Sequence, residues 1–289
     1  MPMGARSFTI EAPAKLNIRL KITGRRPDGY HELVSIMTPV SLLDVIEVRK
    51  KGGEGVELSA SGYPVPLDDG NIVVRAVQSF SAATGLQSGV SIKIIKNIPV
   101  AAGMGGGSSD AAATLLILNE IYSKPLSMND LRGLALRLGA DAPFFLVGTP
   151  CLVTGIGEIL EPLAIWPEFW YVIVTPPIQV STAWVYQNYR MKLTTGEYPF
   201  IKKALESASL VISQVLENDL EAVTSATFPV IDRIKRLLVE NGAEGALMSG
   251  SGPSVFGVFG SVEPAESARK HLLAQKLGDV FIVKSWKRG

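Results

Sequence analysis

A chain of 289 residues, 47 % hydrophobic and 19 % charged, has the material for a sizeable core, which excludes a disordered protein and predicts roughly two domains. A formal net charge of +1 asks for neither a nucleic acid nor an acidic membrane as partner, and the single cysteine, Cys151, excludes an internal disulfide. The first ten residues lack the apolar run of a signal peptide, and no stretch approaches the roughly 18 apolar residues of a membrane helix, so a soluble, cytoplasmic protein is expected.

Taken in chain order, residues 6–60 read as strands. From Ala14 to Ile22 the alternation is strict: Ala14, Leu16, Ile18, Leu20 and Ile22 face one side, and Lys15, Asn17, Arg19 and Lys21 the other. Pro27-Asp28-Gly29 is a turn signal, and 44–50 and 56–60 are further strands. A helix over 71–83 and a strand over 90–96 lead into a glycine-rich loop, followed by a helix over 110–122. Ser127 and Asp130 form a capping-box pattern for a helix ending at Gly139. A short strand, 151–155, precedes a Pro-interrupted stretch at 161–168, where a boundary divides 1–165 from 166–289. The second half predicts strands at 170–175, 245–248, 254–259 and 279–284, several helices between 182 and 240, and one over 263–275. This irregular alternation predicts an α+β fold in both halves.

The strongest chemical signal is Pro99-Val100-Ala101-Ala102-Gly103-Met104-Gly105-Gly106-Gly107-Ser108-Ser109. Its glycines admit backbone conformations closed to other residues, and its amides can converge on an anion at the start of a helix beginning near Ser109. Ser108 and Ser109 add hydroxyl donors, or a magnesium contact, and a triphosphate is the natural occupant. A flexible linker would not lead straight into an apolar helix. The loop has no Gly-Lys-Ser/Thr ending and no dinucleotide-type acidic residue about 20 positions on.

With Ala12-Pro13-Ala14-Lys15-Leu16-Asn17 before it and Ser249-Gly250-Ser251-Gly252-Pro253-Ser254-Val255-Phe256-Gly257 after it, the loop resembles the three ordered motifs of the galactokinase, homoserine kinase, mevalonate kinase and phosphomevalonate kinase (GHMP) superfamily. Arg26–Leu33, Gly105–Ser109, Gly139–Phe145 and Gly155–Glu158 are similar to a branch that phosphorylates the 2-hydroxyl of a cytidine diphosphate-linked methylerythritol. The resemblance implies a two-domain α+β GHMP-kinase fold with the active site in a cleft between domains: an ATP-binding domain over 1–165 and a C-terminal GHMP domain over 166–289. It also implies ATP with Mg2+ and a small-molecule alcohol substrate.

Lys15 and Asp141 are the expected catalytic pair. Asp141 follows Gly139 in an apolar context, where a carboxylate can take up the alcohol's proton or only orient the hydroxyl. Lys15 can hold the carboxylate or stabilise developing charge. Taken singly, a helix cap for Asp141 and a solvated strand face for Lys15 are the bland alternatives. Tyr30 can stack on the cytosine, with His31 bonding its edge and Asn17 contacting the substrate. The stretch containing Thr182 and Tyr186 aligns with the family's second aromatic, although Trp184 and Tyr186 fit the buried side of a helix equally well. By resemblance only, Asn71 and Lys96 flank the adenine. His271 is expected to be structural or exposed, and no zinc-type ligand spacing occurs. A different kinase of the superfamily, a nucleotide sensor without catalysis and, since the superfamily's N-terminal half resembles a ribosomal-protein fold, an RNA-binding module are the alternatives; a sensor would be expected to lose Lys15 or Asp141, and no basic stripe suits RNA.

Overall fold

The computed structural model describes residues 7–86, 89–190 and 211–288, which divide into two compact units. The expected helical stretch after Thr182 falls partly on 191–210, outside the described residues. Among the described residues no helix is long and apolar enough to cross a membrane.

The first unit contains residues up to Ala14, Leu42–Val100 and Gly105–Gly148. Its strands are the second half of β2 (His31–Lys51), β3 (Val56–Gly62) and β4 (Gly89–Lys96). β4 lies between the other two, parallel to β3 and antiparallel to β2, with Ile92 opposite Leu58 and Val48. The helices α1 (Ile72–Thr84), α2 (Gly106–Ile121), α3 (Met128–Leu138) and α4 (Ala142–Val147) complete it. α2 is almost wholly buried, from Ser109 through Leu115 and again at Ile117 to Asn119, so it forms the unit's centre rather than an amphipathic surface helix. α3 carries the expected capping box: Ser127 Oγ accepts from Asp130 N, and Asp130 accepts from Ser127 N.

The second unit contains Lys15–Ser41, Ala101–Met104 and the chain from Thr149 onward. Its first sheet is built on a hairpin between β1 (Ser7–Arg25) and β2, closed where Arg26 N donates to Tyr30 O. β5 (Cys151–Thr154) pairs with β2 and with β6 (Ile159–Pro162), and β8 (Glu217–Asn218) runs parallel to β1. Its second sheet is antiparallel, in the order β11 (Asp279–Lys284), β7 (Trp170–Thr175), β10 (Val255–Phe259), β9 (Gly245–Met248). Val172, Val174, Phe259, Ile234, Leu238 and Leu272 join this sheet to α7 (Val230–Glu240) and α8 (Val262–Ala274) in one core. Two further α-helices among the described residues are α5 (Thr182–Asn188) and α6 (Glu221–Thr227).

Two expectations need correction. The helix after the glycine loop begins at Gly106, not near Ser109 or Asp110, so the glycines themselves form its first turn. The polar side of β1 is not solvated: Lys15, Asn17, Arg19 and Lys21 are all buried, 3 %, 0 %, 6 % and 8 % exposed. Each finds a polar partner, as burial of such groups requires.

Candidate active site

In the second unit the stretch Ala101–Met104 is held by its carbonyls. Ala102 O accepts from Ser254 N (3.3 Å), Gly103 O from Ser249 Oγ (3.0 Å) and Met104 O from Lys15 N (2.9 Å). A planar trans peptide points its N–H opposite to its C=O. The N–H groups of Gly103 and Met104 therefore turn away from the anchors of their own peptides. Ala101 is left-handed at φ 52°, a conformation non-glycine residues adopt at a cost. Gly103 has no alternative, because a Cβ there would lie 2.2 Å from Ser249 O.

Lys15 Nζ donates to Asn17 Oδ1, and Asn17 Nδ2 donates to Ser35 Oγ (2.9 Å), which in turn donates to Arg19 O (2.5 Å). Asn17 N donates to Ser249 Oγ (3.3 Å). Gly250, at φ 59°, lies over this pair: a Cβ there would be 3.3 Å from both Lys15 Nζ and Asn17 Oδ1. The second glycine loop, 249–254, thus contacts both the first loop and the Lys15 strand. Ser251 Oγ shares a 2.8 Å hydrogen bond with Thr182 Oγ1, so Thr182 belongs with this loop.

His31 opens β2, its ring centroid 5.3 Å from that of Tyr186 and 6.4 Å, edge-on, from that of Tyr189. Burial, followed by the nearby Arg25 charge, lowers the His31 pKa below its ordinary value, favouring neutral imidazole. Tyr30 is 58 % exposed. The buried side of α5 belongs to Val185, not to Trp184 or Tyr186; Tyr186 instead faces His31. Tyr189 was not singled out by the sequence. Its hydroxyl donates to Asp219 Oδ2 (3.2 Å), which also accepts from Ile22 N (2.8 Å). His271 is exposed.

In the first unit Gly105 starts α2 at φ 70°, and the N–H groups of the first turn have no carbonyl within the helix to bond. Ser109 Oγ is buried without a partner among the described residues, an orphan that a phosphate oxygen would satisfy. A Cβ on Gly107 would meet only Ile72, at 3.8 Å, which places the start of α1 beside the loop. Asn71 is there as the α1 cap, its Oδ1 accepting from Val73 N (2.9 Å) and its Nδ2 donating to Pro66 O (2.7 Å). Pro99 is buried and Val100 exposed. Asp141, half-buried, immediately precedes α4 and makes no capping hydrogen bond there. Its turn packs on the glycine loop, since a Cβ on Gly139 would lie 3.2 Å from Ser108 Oγ.

Lys96 is buried between two carboxylates, pairing with Asp44 Oδ2 and, at 2.6 Å, with Asp110 Oδ2. Asp44 Oδ1 also accepts from Asn97 N (2.6 Å) and Ile98 N (2.8 Å), whereas Asp110 Oδ1 has no hydrogen-bond partner among the described residues. Two carboxylates and one ammonium leave a surplus negative charge, and the less well-satisfied carboxyl keeps its proton. Burial pushes Asp110 up to about 8, against the pull of Lys96 and with the Asp44 charge adding to the rise. Sequence reading missed Asp44, which sits among the alternating residues of an ordinary strand.

Among the described residues no three His, Cys, Asp or Glu side chains gather in a way that could hold a metal ion. Comparison with known proteins matches residues 71–149 to the GHMP kinases N terminal domain and 200–277 to the GHMP kinases C terminal. The chain is 48 % identical to the 4-diphosphocytidyl-2-C-methyl-D-erythritol kinase of Geobacter metallireducens, over 96 % of this chain and 98 % of that one. It is 40 % identical to the kinase of the same name from Syntrophus aciditrophicus, over 96 % and 98 %. A crystal structure of 4-(cytidine 5'-diphospho)-2C-methyl-D-erythritol kinase superposes with a TM-score of 0.83 at 34 % identity, covering 98 % of this chain and all (100 %) of that one. Homoserine kinase from Cytophaga hutchinsonii shares the fold at TM-score 0.77 and 20 % identity, over 100 % of this chain and 98 % of that one. With matches to both halves of the superfamily pattern and relatives this similar over nearly its whole length, the chain belongs to the 4-diphosphocytidyl-2-C-methyl-D-erythritol kinase family of the GHMP kinases.

Proposed function

We propose that this kinase transfers the γ-phosphoryl group of ATP to the 2-hydroxyl of 4-diphosphocytidyl-2-C-methyl-D-erythritol, a step of the non-mevalonate route to isoprenoids. The observation that carries this reading is the hydrogen bond from Lys15 N to Met104 O, which ties the buried lysine's strand to the glycine loop. In this reading backbone N–H groups of Gly103, Met104 and Gly105, and those of the first turn of α2, bind the triphosphate. Pro99–Ala102 and Gly106–Ser109 complete the nucleotide loop, with Asn71 and Lys96 on its adenine side. Magnesium arrives with ATP and neutralises phosphate charge; no protein ligand is assigned to it. Lys15 supplies positive charge for the developing alkoxide, and Asp141 takes the alcohol's proton. Asn17 and Thr182 contact the substrate, and Tyr30, His31 and Tyr186 hold its cytosine. Its place is the cytoplasm.

The test is a coupled assay of ADP release against a panel of alcohols. The expected result is efficient turnover of the cytidine diphosphate-linked alcohol. Bare methylerythritol phosphate should be poorer by at least roughly 10²-fold in kcat/KM, since buried polar groups built for the base would go unpaired. His31→Ala and Tyr186→Ala should narrow that gap. Preference for mevalonate or homoserine would overturn the substrate assignment.

A further inference from the structure

Asn218 ends β8 and is buried, opposite Leu20 of β1 in the parallel register. Its side-chain amide is fully engaged. Nδ2 donates to Met248 O (2.8 Å) and to Gly250 O (2.7 Å), and Oδ1 accepts from Leu220 N (3.0 Å). The requirement at this point is two donors and one acceptor, and an asparagine amide supplies them. Three residues on, Glu221 Oε2 accepts from Met248 N (2.8 Å) while Glu221 pairs with Lys235. Met248 is therefore gripped at both its N–H and its C=O, just before the chain turns into the 249–254 loop.

What Asn218 holds is the part of that loop nearest the buried lysine. Gly250 is the residue whose Cβ would lie 3.3 Å from Lys15 Nζ, and Ser249 is the anchor of Gly103 O. We propose that Asn218 is a positioning residue for phosphoryl transfer: by holding the carbonyls of Met248 and Gly250, its amide sets the placement of the second glycine loop against the Lys15 ammonium. This rests on the reading in which Lys15 stabilises the reacting alcohol. All three hydrogen bonds of the amide go to protein backbone. Its loss therefore appears in turnover, and nucleotide binding changes little.

The experiment compares wild type, Asn218→Asp, Asn218→Ala and Asn218→Ser in the coupled assay, with thermal melts as the folding control. Asn218→Asp keeps the shape but directs a carboxylate at two carbonyl oxygens. A displacement of about 1 Å at a reacting group costs on the order of 10²-fold. The expected result at about pH 8 is a kcat lower by roughly 10²-fold, with the KM for ATP changed by no more than about threefold. As the pH falls toward about 6, the introduced carboxyl, its pKa raised by burial, regains a proton and one donor. Its deficit relative to wild type should then shrink, whereas that of Asn218→Ala should not. Asn218→Ser, with one donor, should fall between wild type and Asn218→Ala, and this ordering decides the matter if the Asp variant does not fold. Unchanged kcat in the folded variants, no Ser–Ala difference, or identical pH profiles for the Asp and Ala variants would each overturn the proposal. The comparison is run on whichever alcohol wild type uses best. A wrong substrate assignment then shows in wild type, and a wrong role for Asn218 only in the variants.

Discussion

Ser249 Oγ donates to Gly103 O over 3.0 Å, joining two glycine loops that lie 146 residues apart in sequence. The same oxygen accepts from Asn17 N at 3.3 Å, so one hydroxyl links both loops to the strand that carries Lys15. Ser249→Ala deletes both bonds and leaves a part-buried carbonyl and a buried N–H without this partner. A loss of about 1 kcal/mol per bond predicts a rise of roughly fivefold or more in the KM for ATP. Steady-state kinetics at saturating alcohol measure it, and an unchanged KM would show that the loop holds its shape without the hydroxyl.

Gly106 and Gly107 test the loop differently. A Cβ on Gly106 would lie 3.0 Å from both Lys96 Nζ and Ile98 Cγ2, so a valine there disturbs packing as well as phosphate space. The cleaner probe is Gly107→Val, whose Cβ meets only Ile72 at 3.8 Å. The expected outcome is a melting temperature close to wild type with ATP affinity lower by at least about tenfold, because the branched side chain occupies room meant for phosphate. Calorimetric titration with ATP reads the affinity directly. Undiminished binding would move the phosphates away from α2.

Asp141→Asn should lower kcat by roughly 10²–10⁴-fold with little change in ATP binding, the range for loss of a general base. Lys15→Met should likewise act on kcat more than on the KM for ATP, as expected for a contact made mainly in the transition state. If Lys15→Met raises only the KM, the lysine binds nucleotide instead.

Asp110 predicts a pH dependence of stability. Its carboxyl holds a proton up to about 8 in the folded protein, whereas an exposed aspartate releases it near the ordinary 3.8. Between those values the folded state binds more protons than the unfolded one, so stability from this group falls as the pH rises through the window and levels off above it. Asp110→Asn removes that component. Denaturant midpoints from pH 5 to 8 should fall less steeply in the variant than in wild type, and parallel slopes would refute the assignment.

Most of the architecture was legible because the apolar patterns were regular. The strands 170–175, 245–248 and 279–284 fall where the sequence placed them, and the capping box at Ser127 and Asp130 is present with both its hydrogen bonds. Two features escaped for physical reasons. Lys15, Asn17, Arg19 and Lys21 alternate like a solvated strand face, but alternation reports only that two sides differ; it cannot show that the polar side is also covered. The helix start at Gly106 was hidden because glycine is a poor helix former, and tertiary packing overrides that preference in the first turn of α2. Of the candidate site residues, those within glycine-bearing motifs stood out. Asn218, Asp44 and Tyr189 did not, since each works through partners far away in sequence.

α5 has seven residues and a single buried side chain, Val185. A helix of two turns is marginal in water on its own, so little free energy separates its docked form from local opening. Tyr186 and Tyr189 add ring contacts to His31, and the Thr182 hydroxyl bond to Ser251 secures its first turn. A planar base stacked on the same aromatics would contribute weight to a segment that has little of its own. The amides of α5 are accordingly among the first expected to exchange with solvent hydrogen in the free enzyme. Cytidine diphosphate alone, without any reacting alcohol, should slow them.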